Sequence, residues 1–135
     1  MTNQATPRFM VIDDDPINNL ICSKFIRNAH PDAQIQTFTE PVRGLDFIAS
    51  HYMNTDNVKT VLFLDINMPV LSGWDVLNSF KNFTQITKEQ FIIYILSSSI
   101  ASEDKERAAN SPLVKGYIEK PLSLGLIQAI LNGSN

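Results

Sequence analysis

Cysteine is almost absent from this chain: Cys22 is the only one in 135 residues. A lone thiol makes no intramolecular disulfide and has no partner for a Cys-x-x-Cys metal site. It falls inside a helical pattern, so a buried structural thiol is expected. Histidine is scarce too, with only His30 and His51, both toward helix ends and expected at the surface. Positive charge is not in excess. The net charge of −3 argues against an electrostatic nucleic-acid binder. No apolar run approaches the roughly 18 residues of a membrane span. The first seven residues are polar and lack the apolar stretch of a secretion signal. A cytoplasmic protein with no membrane or nucleic-acid partner is the resulting expectation.

What is present is ordinary for one globular domain, with 44% hydrophobic and 19% charged residues. Short apolar runs alternate with helical spacing. Residues 8–12 read as a first strand running into Asp13-Asp14-Asp15-Pro16. Proline just inside a helix, after an acid, is a strong start signal, so Asp15 reads as an N-cap and not as a ligand. Ile17, Leu20, Ile21, Phe25 and Asn28 mark the expected inner face of that helix, which His30-Pro31 stops. Residues 33–38 alternate like a half-exposed edge strand, with Ile35 and Thr37 set against Gln34 and Gln36. Pro41 opens a second helix with Leu45, Ile48, Ala49 and Tyr52 on its apolar face.

Residues 60–64 read as the third strand, in which Val61 to Leu64 form a continuous apolar run, as a fully buried strand does, and deliver Asp65, Asn67 and Pro69 to a turn. Gly73 begins a third helix with Trp74, Leu77, Phe80 and Phe83 at helical spacing. Residues 91–96 are a fourth strand, ended by Ser97-Ser98-Ser99. Residues 102–110 suit a helix with little apolar face beyond Ala108 and Ala109. A lightly anchored element of that kind is where mobility is expected. Residues 115–118 lead to Glu119-Lys120-Pro121, and a last helix carries Leu126, Ile127, Ile130 and Leu131 before Asn132-Gly133. Strand and helix thus alternate five times. The fold class is α/β: a (βα)5 doubly wound parallel five-stranded sheet covered on both faces through right-handed crossovers.

Parallel strands bring their carboxyl ends to one edge, where ligands of open α/β sheets bind. Asp13, Asp14 and Asp15 arrive there after the first strand, and Asp65 with Asn67 after the third. The serines follow the fourth strand and Lys120 the fifth. Two carboxylates about 4 Å apart repel by roughly 1–4 kcal/mol, so such a group calls for a cation or partial protonation. An all-oxygen set without Cys or His favours Mg²⁺ or Mn²⁺ over zinc. A carboxylate beside a divalent ion, an ammonium and a hydroxyl is equipped to become an acyl phosphate.

With these residues in view, the chain resembles the receiver domain of two-component response regulators from Phe9 to about Leu131. The likeness rests on Val11-Ile12-Asp13-Asp14, Asp65-Ile66-Asn67-Met68-Pro69, the hydroxyl after the fourth strand and Tyr117-Ile118-Glu119-Lys120-Pro121. It implies a flavodoxin-like sheet ordered 2-1-3-4-5, as in the chemotaxis regulator among doubly wound folds. It implies Asp65 as phosphoacceptor in a Mg²⁺- or Mn²⁺-dependent reaction. Asp13, Asp14, Asp65 and the Asn67 backbone carbonyl would be the metal ligands. Lys120 and Ser97 would contact the phosphoryl group, with Ser97 and Tyr117 as switch residues; Ser98 competes with Ser97. The Lys120–Pro121 bond is often cis in such domains.

The implied partners are a sensor histidine kinase or histidine phosphotransfer protein, and a downstream protein on the face made by the last two helices and the fifth strand. Phosphoryl turnover would be no more than slow self-dephosphorylation. A Mg²⁺-dependent aspartyl phosphatase is the rival, but it would need an acid where Asn67 stands. A phosphorylation-independent interaction domain is a third reading, and the intact acid set argues against it.

The resulting division is a polar tail over residues 1–7, a receiver over 8–132 and a C-terminal tail over 133–135, with no output module expected in this chain, which is either a single-domain regulator or an excised receiver. Asp14 and Asp65 stand 51 positions apart, longer than usual for the family. The excess is expected in residues 52–59. Ser111-Pro112-Leu113-Val114 replaces a small pair common in receivers and implies an altered approach to the fifth strand.

Overall fold

A computed structural model describes residues 6–52, 58–98, 102–120 and 122–133. Its strands are β1 (Arg8–Ile12), β2 (Gln34–Phe38), β3 (Thr60–Asp65), β4 (Phe91–Ser97) and β5 (Val114–Glu119). All pair in parallel, in the order β2-β1-β3-β4-β5, so the expected doubly wound sheet is present. The helices are α1 (Pro16–Ala29), α2 (Pro41–His51), α3 (Gly73–Phe80), α4 (Gln85–Lys88), α5 (Ser102–Ala109) and α6 (Leu124–Gly133).

The two-residue alternation of a strand splits the core into two layers. Met10, Ile12, Leu62, Leu64, Ile93 and Ile95 face α2, α3 and α5, meeting Ile48, Val76, Leu77, Phe80 and Ala108. Phe9, Val11, Val61, Phe63 and Leu96 face the other way, against Cys22 and Ile26 of α1 and Ile127 and Ile130 of α6. β3 is buried along its whole length, as its unbroken apolar run requires. β2 is an edge, as expected.

The helices depart from the sequence reading in several places, and α1 does so most. Its inner face is Asn19, Cys22 and Ile26, while Ile17 and Leu20 are 67% and 59% exposed and Ile21 is exposed as well. Leaving two such side chains in water forgoes roughly 1.5–3 kcal/mol each. The rotation follows from Asn19, whose buried amide donates to the carbonyls of Asp13 (3.0 Å) and Phe38 (3.4 Å). Asp15 caps this helix by accepting from the Ile17 N–H at 2.9 Å, as expected.

Elsewhere Thr37 and Ala49 are exposed, not inward, and Phe83 lies past the end of α3. α4 is an additional turn, capped by the Thr84 hydroxyl on the Thr87 N–H, too short for periodicity to reveal. Ser97 is the last residue of β4, and Gly133 belongs to α6. α2 stops at His51; residues 53–57 of the expected insertion lie outside the described residues. His51 is exposed and stacked on Phe47, but His30 is half-buried, not at the surface. The pairing of β5 with β4 carries a register shift between Ile93 and Tyr94. α5 buries Ala108 alone among its described residues, the light anchoring its composition implied.

Candidate functional site

Three of the four carboxylates expected at the sheet edge converge. Asp13, Asp14 and Asp65 each offer an oxygen within 4.8 Å of the others. β1 and β3 are adjacent, with Ile12 opposite Leu64, so the acids that follow them must be neighbours. Asp13 and Asp65 are buried, with Asp65 only 3% exposed, whereas Asp14 is exposed at the rim. Asp15 is occupied as the cap of α1.

Lys120 enters from the end of β5 and bridges the two buried acids. Its Nζ lies 2.8 Å from Asp13 Oδ2 and 3.4 Å from Asp65 Oδ1. The backbone that carries it is fixed to β4, because the Lys120 N–H donates to the Ser97 carbonyl at 2.9 Å. Burial alone lowers an ammonium pKa. Here the hydrogen bond and charge of Asp13, then of Asp65, outweigh it and hold Lys120 above its usual value.

The opposite happens to Asp65. Burial raises its pKa first, the Asp13 charge raises it further, and Lys120 and the Asn67 N–H only partly offset them, leaving it at about 6. The folded state therefore holds this proton more tightly than the unfolded chain, so Asp65 contributes stability at low pH that is lost as pH rises from about 4 through 6. At about 1.4 kcal/mol per pKa unit, its ionisation costs on the order of 2–3 kcal/mol at pH 7 without a cation. Asp65→Asn is expected to raise stability by that order at pH 7 and by much less at pH 4. Urea denaturation in EDTA at the two pH values measures this, and equal gains at both would contradict it.

Ser97 is buried and Ser98 exposed, which favours Ser97 as the hydroxyl at the site. The Asn67 amide donates to Ser97 Oγ at 3.4 Å, and the Asn67 N–H donates to Asp65 Oδ1 at 3.2 Å. Tyr117 stands opposite Ile95 on β5 and is partly buried against the α2/α3 layer. Pro121 lies outside the described residues, and with it the expected cis bond. Cys22 is buried, its thiol pushed up to about 11 by burial and then by Asp13, which suits an inert structural role.

Two asparagines were missed in the sequence. Asn18 Nδ2 donates to Asp13 Oδ2 at 2.6 Å, and Asn19 holds the Asp13 carbonyl. The available signal was a pair of amides one turn beyond an acid run. Gly73, which opens α3, also packs against the acid loop. A Cβ there would stand 2.6 Å from the Asp65 carbonyl oxygen.

The acids' oxygens, close together and with no thiol or imidazole among them, fit a hard divalent cation. When bound, such an ion would supply charge neutralisation for a reacting anion.

A doubly wound sheet with a buried acid bridged to a lysine at its carboxyl edge defines the receiver class of signalling domain. The chain belongs to the response regulator receiver domain family, whose profile matches residues 9–132. A two-component response regulator from Cytophaga hutchinsonii superposes with TM-score 0.84 at 29% identity, covering 96% of this chain and 97% of that one. A receiver protein from Dyadobacter fermentans gives 0.82 at 19% identity, over 95% and 97% of the two chains, a likeness of fold. Among curated proteins, stress response regulator protein 1 of Scheffersomyces stipitis is 31% identical over 74 residues, 55% of this chain and 24% of that protein. Its Meyerozyma guilliermondii counterpart is 35% identical over 74 residues, 55% of this chain and 32% of that protein. The chain thus spans a quarter to a third of these relatives' length.

Proposed function

We propose that this receiver accepts a phosphoryl group from phosphohistidine on Asp65. An Asp65 oxygen attacks phosphorus, the new O–P bond forms, and the N–P bond breaks to release the imidazole. The observation that carries this reading is the Lys120 ammonium lying between the buried carboxylates of Asp13 and Asp65. It is a donor in a water-poor site, aimed where charge must be balanced. Asp13, Asp14, Asp65 and the Asn67 carbonyl would hold Mg²⁺ or Mn²⁺. Lys120 and Ser97 would bind the phosphoryl oxygens. A shift of Ser97 toward them would be followed by Tyr117, altering the face made by α5, β5 and α6 for a downstream protein. With Asn67 in place of an acid, turnover would stay at slow self-hydrolysis.

The phosphoryl donor would be a sensor histidine kinase or phosphotransfer protein in the cytoplasm. The exposed Ile17, Leu20 and Ile21 lie on the helix that leaves the acid loop, and would give that donor an apolar seat beside Asp65. Incubation with acetyl phosphate and Mg²⁺ is expected to add one phosphoryl mass to the wild type and none to Asp65→Asn. Leu20→Glu should label normally with acetyl phosphate yet accept poorly from a phosphohistidine protein. No mass increment on the wild type, or an undiminished one in Asp65→Asn, would overturn the assignment.

A further inference from the structure

α1 runs against the hydrophobic pattern of its own sequence. It turns Asn18 and Asn19 toward the sheet edge and leaves Ile17, Leu20 and Ile21 in water. Both amides reach the same residue. Asn19 donates to the backbone oxygen of Asp13 at 3.0 Å and Asn18 to its carboxylate Oδ2 at 2.6 Å. Asn19 Oδ1 is buried without a hydrogen-bond partner among the described residues. A buried amide left half-satisfied is costly; the bonds that Asn19 does make tie α1 to the ends of β1 and β2.

The Asp13 carboxylate is consequently held from three directions. Oδ1 accepts from the Asp15 N–H at 2.9 Å, while Oδ2 accepts from Asn18 and from Lys120 at 2.8 Å. We propose that Asn18 is a positioning residue of the acid site. Its amide fixes the Asp13 carboxylate so that Asp13, Asp14 and Asp65 stay convergent for a divalent cation. It also takes up part of the Oδ2 acceptor capacity that Lys120 would otherwise command alone. Without it, the carboxylate is free to pivot about the Asp15 N–H toward Lys120, and the three-acid group loses its shape before any ion arrives. Groups that orient ligands in this way commonly change metal affinity ten- to a hundredfold. The inference rests on reading the acid group as a cation site.

The test is Mg²⁺ titration of the full chain by isothermal calorimetry, with thermal denaturation in EDTA alongside. Asn18→Leu keeps the branched shape and the number of heavy atoms and removes the donor. It is expected to weaken Mg²⁺ binding about tenfold with little change in Tm. Asn18→Gln retains an amide and should recover part of the affinity. Asn19→Ala provides the contrast, since loss of a buried residue should lower Tm. Unchanged Mg²⁺ affinity in Asn18→Leu overturns the role of Asn18, as does an equal loss in the Gln variant. Absence of Mg²⁺ binding by the wild type instead overturns the cation site itself, and this inference with it.

Discussion

Lys120→Met is expected to destabilise the metal-free protein by about 3–5 kcal/mol at pH 7, the usual cost of removing one partner from a buried ion pair. Asp13 is fully buried and Asp65 nearly so, and Lys120 is the cation that the described residues bring to both. Its loss leaves two adjacent carboxylates without a countercharge. Asp65, already raised to about 6, is then forced further toward its protonated form. The penalty should therefore shrink as pH falls toward 5, and Asp65→Asn in the same background should recover much of it.

Metal and phosphoryl transfer should respond in opposite directions. The ammonium competes with Mg²⁺ for the same oxygens, so Lys120→Met should bind Mg²⁺ more tightly. It should also accept phosphoryl groups roughly 10²–10³-fold more slowly, the range for loss of one preorganised donor. Denaturation with and without EDTA, calorimetry and acetyl phosphate labelling measure the three quantities. A variant as stable as wild type in EDTA at pH 7 would show that the bridge carries no such load.

Asp65 was legible in the sequence because it stands where an apolar run stops, and Lys120 because it ends a short strand and precedes Pro121. One topological rule then sends every such stop to the same edge. The burial of β3 was legible for the same reason, since four consecutive apolar residues leave no solvent face. α1 was not. Ile17, Leu20 and Ile21 have the i, i+3, i+4 spacing of a core stripe, and nothing in that spacing tells a stripe that packs on the sheet from one left outside. The orientation is decided by long-range polar contacts, the Asn19 amide on the Phe38 carbonyl among them. Those become visible only when β2 is placed beside β1. Ser97 and Ser98 were separated by burial alone, a property of register and not of residue type. The contribution of Asn18 was hidden by its chemistry, since asparagine near a helix start ordinarily signals a cap.

Gly73 was hidden in another way, and it carries the second large effect. It opens α3, donates its N–H to the Ile66 carbonyl at 3.2 Å and packs its Cα face on the backbone that follows Asp65. A Cβ at this position would lie 2.6 Å from the Asp65 carbonyl oxygen and 2.8 Å from Ile66 Cα. Both are main-chain atoms of a fully buried segment and cannot swing aside as a side-chain tip does. Gly73→Ala must therefore push the start of α3 away from β3 or displace the Asp65 loop. The overpacking cost is expected at about 1–3 kcal/mol. Because the displaced atoms carry the carboxylate proposed to accept the phosphoryl group, phosphoryl uptake should fall by about 10²-fold, the scale of an ångström-level misplacement. Gly125, in α6, has nothing within 4 Å of its Cβ position. Gly125→Ala should thus be neutral or stabilise by up to about 1 kcal/mol through helix propensity, with labelling unchanged. Gly44 is intermediate, since the nearest obstacle is the flexible Ile12 Cδ1 at 2.8 Å. Urea denaturation of the three alanine variants, with acetyl phosphate labelling of each, checks the order. If Gly73→Ala labels as fast as Gly125→Ala, the close packing of α3 does not position Asp65.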